Sequence, residues 1–369
     1  MQRIDDRSLV AVEKPELVVL PTLELNAETP AHLLDDDITP TDRLFVRNTG
    51  FMPGFSDAEL QGWTLAVDGF VREQRRFTLD ELRSRFEVFT QIAVMECAGK
   101  GRAFYEHQTS PVLWQHGAAG CGRWTGVRLG DVLGACGVTP EAVYTGHHSP
   151  DLYLDNSGPA ISRGLPIAKA LAPETMLAFG LNGAPLPPIH GGPLRIVAPG
   201  YPGAASQKWL TRIELRDREH DGERMGGLHY RMPRVPMKPG NPVDESLFDV
   251  ITDMPVTSII TSPRDGFTTR LGDPLMLRGH AWSGHVPVAK VEVSTDGGKR
   301  WREAALGPLP DRFAWRRVLL TLPAPQPGDL EIIMRATDVE GRAQPLGSAP
   351  WNPRGYLNNT CHRVRGRVE

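Results

Sequence analysis

Polar and apolar residues alternate through LQGWTLAVDGFVREQRRFTLDEL, residues 60–82, on both sides of a Val-Asp-Gly turn. Period-two alternation around such a turn predicts paired β-strands. The run then reaches Thr78 with Glu81 three residues on, the signature of a capped helix start. TGVRLGDVLGAC, residues 125–136, predicts a loop entering a short helix that stops at Gly137. A further helix-like stretch covers 165–181 and is broken by Pro173. Between 193 and 215 the pattern is strand, Gly/Pro-rich turn, strand. Residues 1–42 hold no sustained period and predict an extended arm laid over a larger body.

The texture changes after MPRVPMKPGNPVDESLFDV, a Pro-rich connector, and from about Ile259 helix signals vanish. Short β runs follow: PLMLRGHAW, AKVEVSTDGGKRWREAAL, FAWRRVLLTL and LEIIMRATD. Within them STDGGKRW marks a hairpin, because Asp-Gly-Gly supplies the positive φ angles of a tight turn. Strands at this spacing predict an immunoglobulin-like sandwich of about 110 residues. The fold class is therefore α+β, a mixed α/β body followed by an all-β sandwich. The predicted division is 1–42, 43–250 and 251–369.

Composition narrows the chemistry. The 369 residues are 40% hydrophobic and 23% charged, ordinary for a globular chain rather than a disordered one. A net charge of −3 gives no basic field for nucleic acid or an anionic membrane. No apolar run approaches the ~20 residues that span a bilayer. The expected location is cytoplasmic as written, or periplasmic if a twin-arginine leader has been removed. Four cysteines, Cys97, Cys121, Cys136 and Cys361, are too scattered for a disulfide scaffold. No C-x-x-C, H-E-x-x-H, P-loop, G-x-S-x-G or G-x-G-x-x-G occurs, so zinc, covalent haem, nucleotide and common hydrolase readings lose their support.

Two segments carry candidate chemistry. MECAGKGRAFY, residues 95–105, sets Cys97 among small residues with Arg102 five positions on. A buried structural cysteine and a thiolate stabilised by the arginine both fit this pattern. IHGGPLRIVAPGYPGAASQKWL, residues 189–210, places His190, Arg195, Ser206 and Lys208 among glycines and prolines. Cationic donors converging from turns suit a phosphate or polyanionic cofactor, and a solvated basic loop is the alternative. The remaining histidines, including the adjacent His147 and His148, lack a partner spacing and read as structural or surface residues.

From about Arg43 onward the chain resembles the molybdopterin enzymes of the sulfite oxidase type, haem-free as in bacteria. The resemblance rests on FVRN (45–48), ECAG (96–99), WQHGAAGCGRW (114–124), LNGAPLPPIHGGPLRIVAPG (181–200), KWL (208–210), STDGGKRW (294–301) and WNPRGYLNN (351–359), in that order. It implies a mixed α/β molybdopterin-binding domain and an immunoglobulin-like domain that pairs subunits as a homodimer. It implies Cys97 as the single protein ligand of molybdenum, a soft thiolate beside the dithiolene. His190, Arg195, Ser206 and Lys208 match residues that grip the pterin and its phosphate, and Phe45, Arg47 and Asn48 match the stretch that passes the cofactor. Ile189 replaces an acid often found before the histidine, and Thr49 stands where many relatives have a second cofactor-contacting histidine. An acidic pterin contact is implied from DLYLDNS, residues 151–157, with Asp151 and Asp155 interchangeable.

For the substrate the resemblance implies three arginines, Arg47, Arg102 and Arg354, around a small oxyanion. Tyr230 matches a tyrosine beside the metal whose phenol relays a proton, and Trp114 a tryptophan lining the pocket. The implied activity is oxidation of sulfite to sulfate by oxo transfer, with electrons passed to a separate cytochrome, another carrier or oxygen and no haem in this chain. Nitrate reduction, another oxo transfer or a non-catalytic anion-binding relative are the alternatives. Nitrate-reducing relatives tend to lose the arginine matching Arg354, so its presence favours sulfite.

Overall fold

The computed structural model describes residues 2–323 and 326–369. Two five-stranded sheets build the first part of the chain. In one, Thr64–Gly69 pairs antiparallel with Arg75–Thr78 and parallel with Arg212–Arg216, which continues to Tyr144–His148 and Gly164–Pro166. In the other, Val88–Glu96, Ala119–Arg128, Met176–Leu181 and Ala184–Pro185 follow in order, and Arg195–Val197 joins the edge of Met176–Leu181. Leu65, Val67, Phe77, Val127, Leu177 and Ile213 turn inward from these sheets into one core.

The local signals behave as their chemistry requires. Thr78 caps the helix Leu79–Arg85 and Glu81 returns the bond, closing a capping box. The helix Leu129–Cys136 ends on Gly137 at φ 72°, an angle that suits a residue without a Cβ. Two expectations change. The helix in 165–181 is one turn, Ile167–Ala170, because Met176–Leu181 is a buried central strand whose partners override its helical composition. The first 42 residues are not uniformly extended: Asp5 caps the helix Asp6–Glu13, and Val18–Val19 and Asn26–Glu28 form a small sheet with Val46–Arg47. Three-strand pairing with a distant segment leaves no periodic trace in so short a run.

The last part is a β-sandwich. Thr257–Ser262, Leu275–Trp282, Arg316–Leu322 and Ala305–Leu306 form one sheet. Phe267–Thr269, His362–Val368, Gly328–Asp338, Val288–Ser294 and Arg302–Glu303 form the other. Ile260, Leu277, Val291, Val318, Ile332 and Val364 fill the space between them. Arm residue Asp35 is paired with Arg278 and Arg317 of this sandwich, at 2.8 and 2.9 Å.

Two crossings place the site. The segment after Glu96 leaves its strand as a tight turn, Cys97 to Lys100. The segment 351–361 returns from the sandwich to meet it: Leu357 N donates to Ala98 O at 2.8 Å, and Asn358 Nδ2 to Gly101 O at 2.9 Å. Among the described residues no helix is long and apolar enough to cross a membrane.

Candidate active site

A cavity partly open to solvent lies where residues 44–49, the Cys97 turn and the 189–210 segment meet. Phe45, Arg47, Asn48, Cys97, Asp151, His190, Arg195, Ser206, Lys208 and Tyr230 all line it. Thus segments separated by up to 185 positions converge there. Arg102, Trp114, Arg354 and Asp155 do not line it.

One end is built by the Gly-rich loop. Gly191 has φ 98°, and a Cβ there would come within 2.8 Å of the Lys208 side chain, so glycine lets the loop close over the lysine. Lys208 Nζ donates to Asn48 Oδ1 and Ile189 O, both at 2.7 Å. Arg195 directs its N–H groups to the carbonyls of His190, Ser206 and Ile196. The Ser206 hydroxyl accepts from Ala198 N. No carboxylate lies within 4 Å of Lys208 or Arg195 among the described residues. Burial pushes Arg195 down to about 9 and Lys208 well below its ordinary range, the second also feeling Arg195. His190 is held well below its usual value by burial and then by Lys14, Lys208 and Arg195. Its Nε2 is buried without a hydrogen-bond partner. Desolvated cations without anions and an orphaned ring nitrogen are costly unless an anion arrives. The donor set therefore fits a phosphate-bearing cofactor.

The wall between the ends holds one of the two acids of 151–157. Asp151 is buried, accepts from Ser149 Oγ and is pushed up to about 6 by burial. Asp155 is instead exposed, bonded to Ser157 N in a local turn, because the loop turns its second half outward. Gln207 ties this wall together, donating to Ser149 Oγ and Ile161 O.

At the other end Cys97, half-buried, faces the cavity together with Arg47 and Tyr230. Tyr230 sits at φ 54°, an angle a non-glycine residue adopts only when its surroundings impose it. Its ring stacks on Tyr356 at 5.3 Å, and the Arg163 guanidinium carbon lies 4.5 Å over it. Burial, then Tyr356, pushes the phenol up to about 12. Arg102 lies behind this end. It donates to Arg354 O at 2.9 Å and Val112 O at 3.0 Å, and a Cβ on Gly99 would fall 2.5 Å from its Nη2. Arg354 Nη2 is 3.4 Å from Nε2 of His229, the neighbour of Tyr230. Trp114 packs edge-on against Phe45 at 6.3 Å, supporting the wall rather than forming it.

Several participants carry no sequence signal of their own. Met95, Ile161 and Gln207 line the cavity as ordinary wall residues. Arg163 and Glu24 reach the site only through tertiary pairing, Glu24 from the arm at 2.7 Å from Arg47 Nη2. Lys14, at the end of the arm helix, donates to Leu44 O at 3.1 Å and is pushed down to about 8 by burial.

Comparison with known proteins agrees with this geometry. The family described as oxidoreductase molybdopterin binding domain matches residues 52–224, and that described as Mo-co oxidoreductase dimerisation domain matches residues 248–369. The chain is 35% identical to sulfite oxidase of Gallus gallus, over 95% of this chain and 77% of that one. It is 32% identical to mitochondrial sulfite oxidase of Rattus norvegicus, over 100% and 68% of the two. Nitrate reductase [NADH] 2 of Arabidopsis thaliana is 32% identical over 93% of this chain but only 40% of its own length. The sulfane dehydrogenase SoxCD from Paracoccus pantotrophus superposes with a TM-score of 0.79 at 26% identity, covering 100% of this chain and 93% of that one. A chain that shares both domains with these relatives along nearly its whole length belongs to the sulfite oxidase family of molybdopterin-binding oxidoreductases.

Proposed function

We propose that this chain oxidises sulfite to sulfate at a molybdenum–molybdopterin centre held in the cavity. The observation that carries this reading is the polarity of one cavity: a thiol, a phenol and a guanidinium at one end, and at the other desolvated cations with no carboxylate within 4 Å among the described residues. His190, Arg195 and Lys208 would hold the phosphate end of the cofactor. Phe45, Asn48, Asp151 and Ser206 would flank the pterin, and Cys97 would ligate the metal. Bound there, the cofactor supplies oxo-transfer chemistry and takes up two electrons.

The chain's own residues do the remaining work. Arg47, which lines the cavity, binds and orients the oxyanion, its guanidinium fork suiting pyramidal oxygens, while Arg102 and Arg354 add charge from behind that end. Three cations favour a dianion over nitrate, since attraction scales with ligand charge. Tyr230 keeps its Oη proton at neutral pH and can donate it to an oxygen of the bound anion or of the incoming water. Trp114 and Phe45 keep the wall apolar and limit water.

The division into an arm, residues 1–42, a cofactor domain, 43–250, and a pairing domain, 251–369, belongs to the same reading. So do assembly as a homodimer through the last of these and transfer of electrons to a separate cytochrome, another carrier or oxygen. Molybdenum analysis with steady-state sulfite oxidation, comparing ferricyanide, cytochrome c and oxygen as acceptors, tests it. Sulfite-dependent reduction by a molybdenum-loaded protein is the expected result. A loaded protein inert to sulfite with every acceptor would overturn the assignment.

A further inference from the structure

Glu24 sits in the turn between two arm strands, and its backbone is pinned there. Its carbonyl accepts from Thr22 Oγ1 at 2.9 Å, Asn26 Nδ2 at 3.1 Å and Arg7 Nη2 at 3.3 Å. The carboxylate bridges two arginines, with Oε2 2.7 Å from Arg47 Nη2 and Oε1 2.9 Å from Arg224 Nη2. All three side chains are 19% exposed, so this pair is not a loose surface contact. Arg224, at φ 60°, in turn bonds Tyr153 Oη and receives Arg163 Nη1 on its carbonyl. A continuous set of contacts therefore runs from Arg47 through Glu24, Arg224 and Arg163 to the Tyr230 ring.

The remaining cations at this end, Arg102, Arg163 and Arg354, have no carboxylate within 4 Å among the described residues. Arg47 is the one of these four that meets a fixed acid, which it shares with Arg224. Four uncompensated guanidinium groups would hold sulfate, the dianionic product, tightly, and slow product release limits turnover. A fixed negative charge beside Arg47 weakens a dianion about twice as much, in logarithmic terms, as a monoanion.

We propose that Glu24 is a specificity-determining positioning residue. It acts through Arg47, holding that guanidinium in place while setting the charge the pocket offers to oxyanions, and thereby allows sulfate to leave. This rests on the reading of Arg47 as an anion-binding residue. Glu24→Gln keeps the shape of the bridge and removes the charge. Titration calorimetry of the holoenzyme with sulfate and with nitrate should show sulfate binding about tenfold tighter in the variant and nitrate about threefold tighter. Glu24→Ala removes the charge without adding a buried amide, and provides the same comparison should the glutamine variant not fold. Glu24→Asp keeps the charge and should restore the parental ratio of the two affinities. Equal shifts for the two anions, no shift, or weaker sulfate binding would overturn the proposal, because loss of a merely structural brace does not read ligand charge. Sulfite turnover by the parental holoenzyme is measured separately. A parent that binds both anions yet oxidises no sulfite overturns the assigned function, while the two-to-one response still decides on Glu24.

Discussion

Cys97 and Arg354 lie 257 positions apart, and each carries a sharp expectation. A serine hydroxyl is a harder, weaker donor to a high-valent metal than a thiolate. Cys97→Ser should therefore collapse turnover while circular dichroism stays parental. Near-parental sulfite oxidation by a molybdenum-loaded serine variant would remove Cys97 from the coordination sphere. Arg354 borders His229 and shares its backbone carbonyl with Arg102, so it adds charge to the anion end without lining the cavity. Acting through space rather than by a direct bond, it should contribute less than the roughly 1.5–3 kcal/mol of a charge-assisted bond, so Arg354→Met should lower kcat/KM for sulfite by up to about tenfold. Molybdenum content should stay unchanged. A variant with parental kcat/KM would take Arg354 out of the anion site. At this scale Cys97 and the cationic loop were legible through motifs shared with a known family, whereas their residue types alone left a structural cysteine and a solvated loop open. Asp151 and Asp155 were not separable, since burial, rather than residue type, distinguishes them.

The arm shows how one element can be tied down by a titrating group. Asn26–Glu28 pairs with Val46–Arg47, and the Glu28 carboxylate accepts from Gln115 N at 2.9 Å and Gly117 N at 3.2 Å. Burial outweighs these donors and pushes Glu28 up to about 7. Its folded value thus lies above the unfolded value of 4.5, so the native state holds the proton more tightly. Stability from this group is fully present below about pH 4.5 and is lost as pH rises through about 7, by roughly 3 kcal/mol in all. Glu28→Gln removes that titration and can still accept both N–H groups on one oxygen. Urea unfolding of both proteins at pH 5 and pH 8 should show the variant gaining on the parent by a few kcal/mol between them. A stability difference independent of pH would place the Glu28 titration elsewhere. Capped helices such as Leu79–Arg85 were readable because their signals are local, three residues apart. The arm strands and Met176–Leu181 were not, because their partners lie far along the chain.

For the whole molecule, the sandwich of residues 257–368 should bury a self-complementary face against a second copy, giving a two-fold dimer. Stable interfaces bury about 1,600 Å², enough to persist at micromolar concentration. Light scattering should then report twice the mass of one chain; a particle of single-chain mass would sink the expectation. The sequence by itself determined the change from mixed α/β to all-β texture, the turn chemistry of Gly297 and Gly298 at φ 74° and 89°, and the identity of the thiol and the cationic loop. The first two follow from local propensity, the last from motifs shared with the sulfite oxidase family, since a structural cysteine and a solvated basic loop also fitted the residues alone. Only the tertiary structure decided that Asp151 rather than Asp155 faces the cavity, that Arg102 and Trp114 stand behind its walls, and that Glu24 of the arm bridges Arg47 and Arg224. Burial, strand pairing and charge compensation are set by segments brought together across the fold, and no periodicity along one stretch of chain encodes which distant segment that will be.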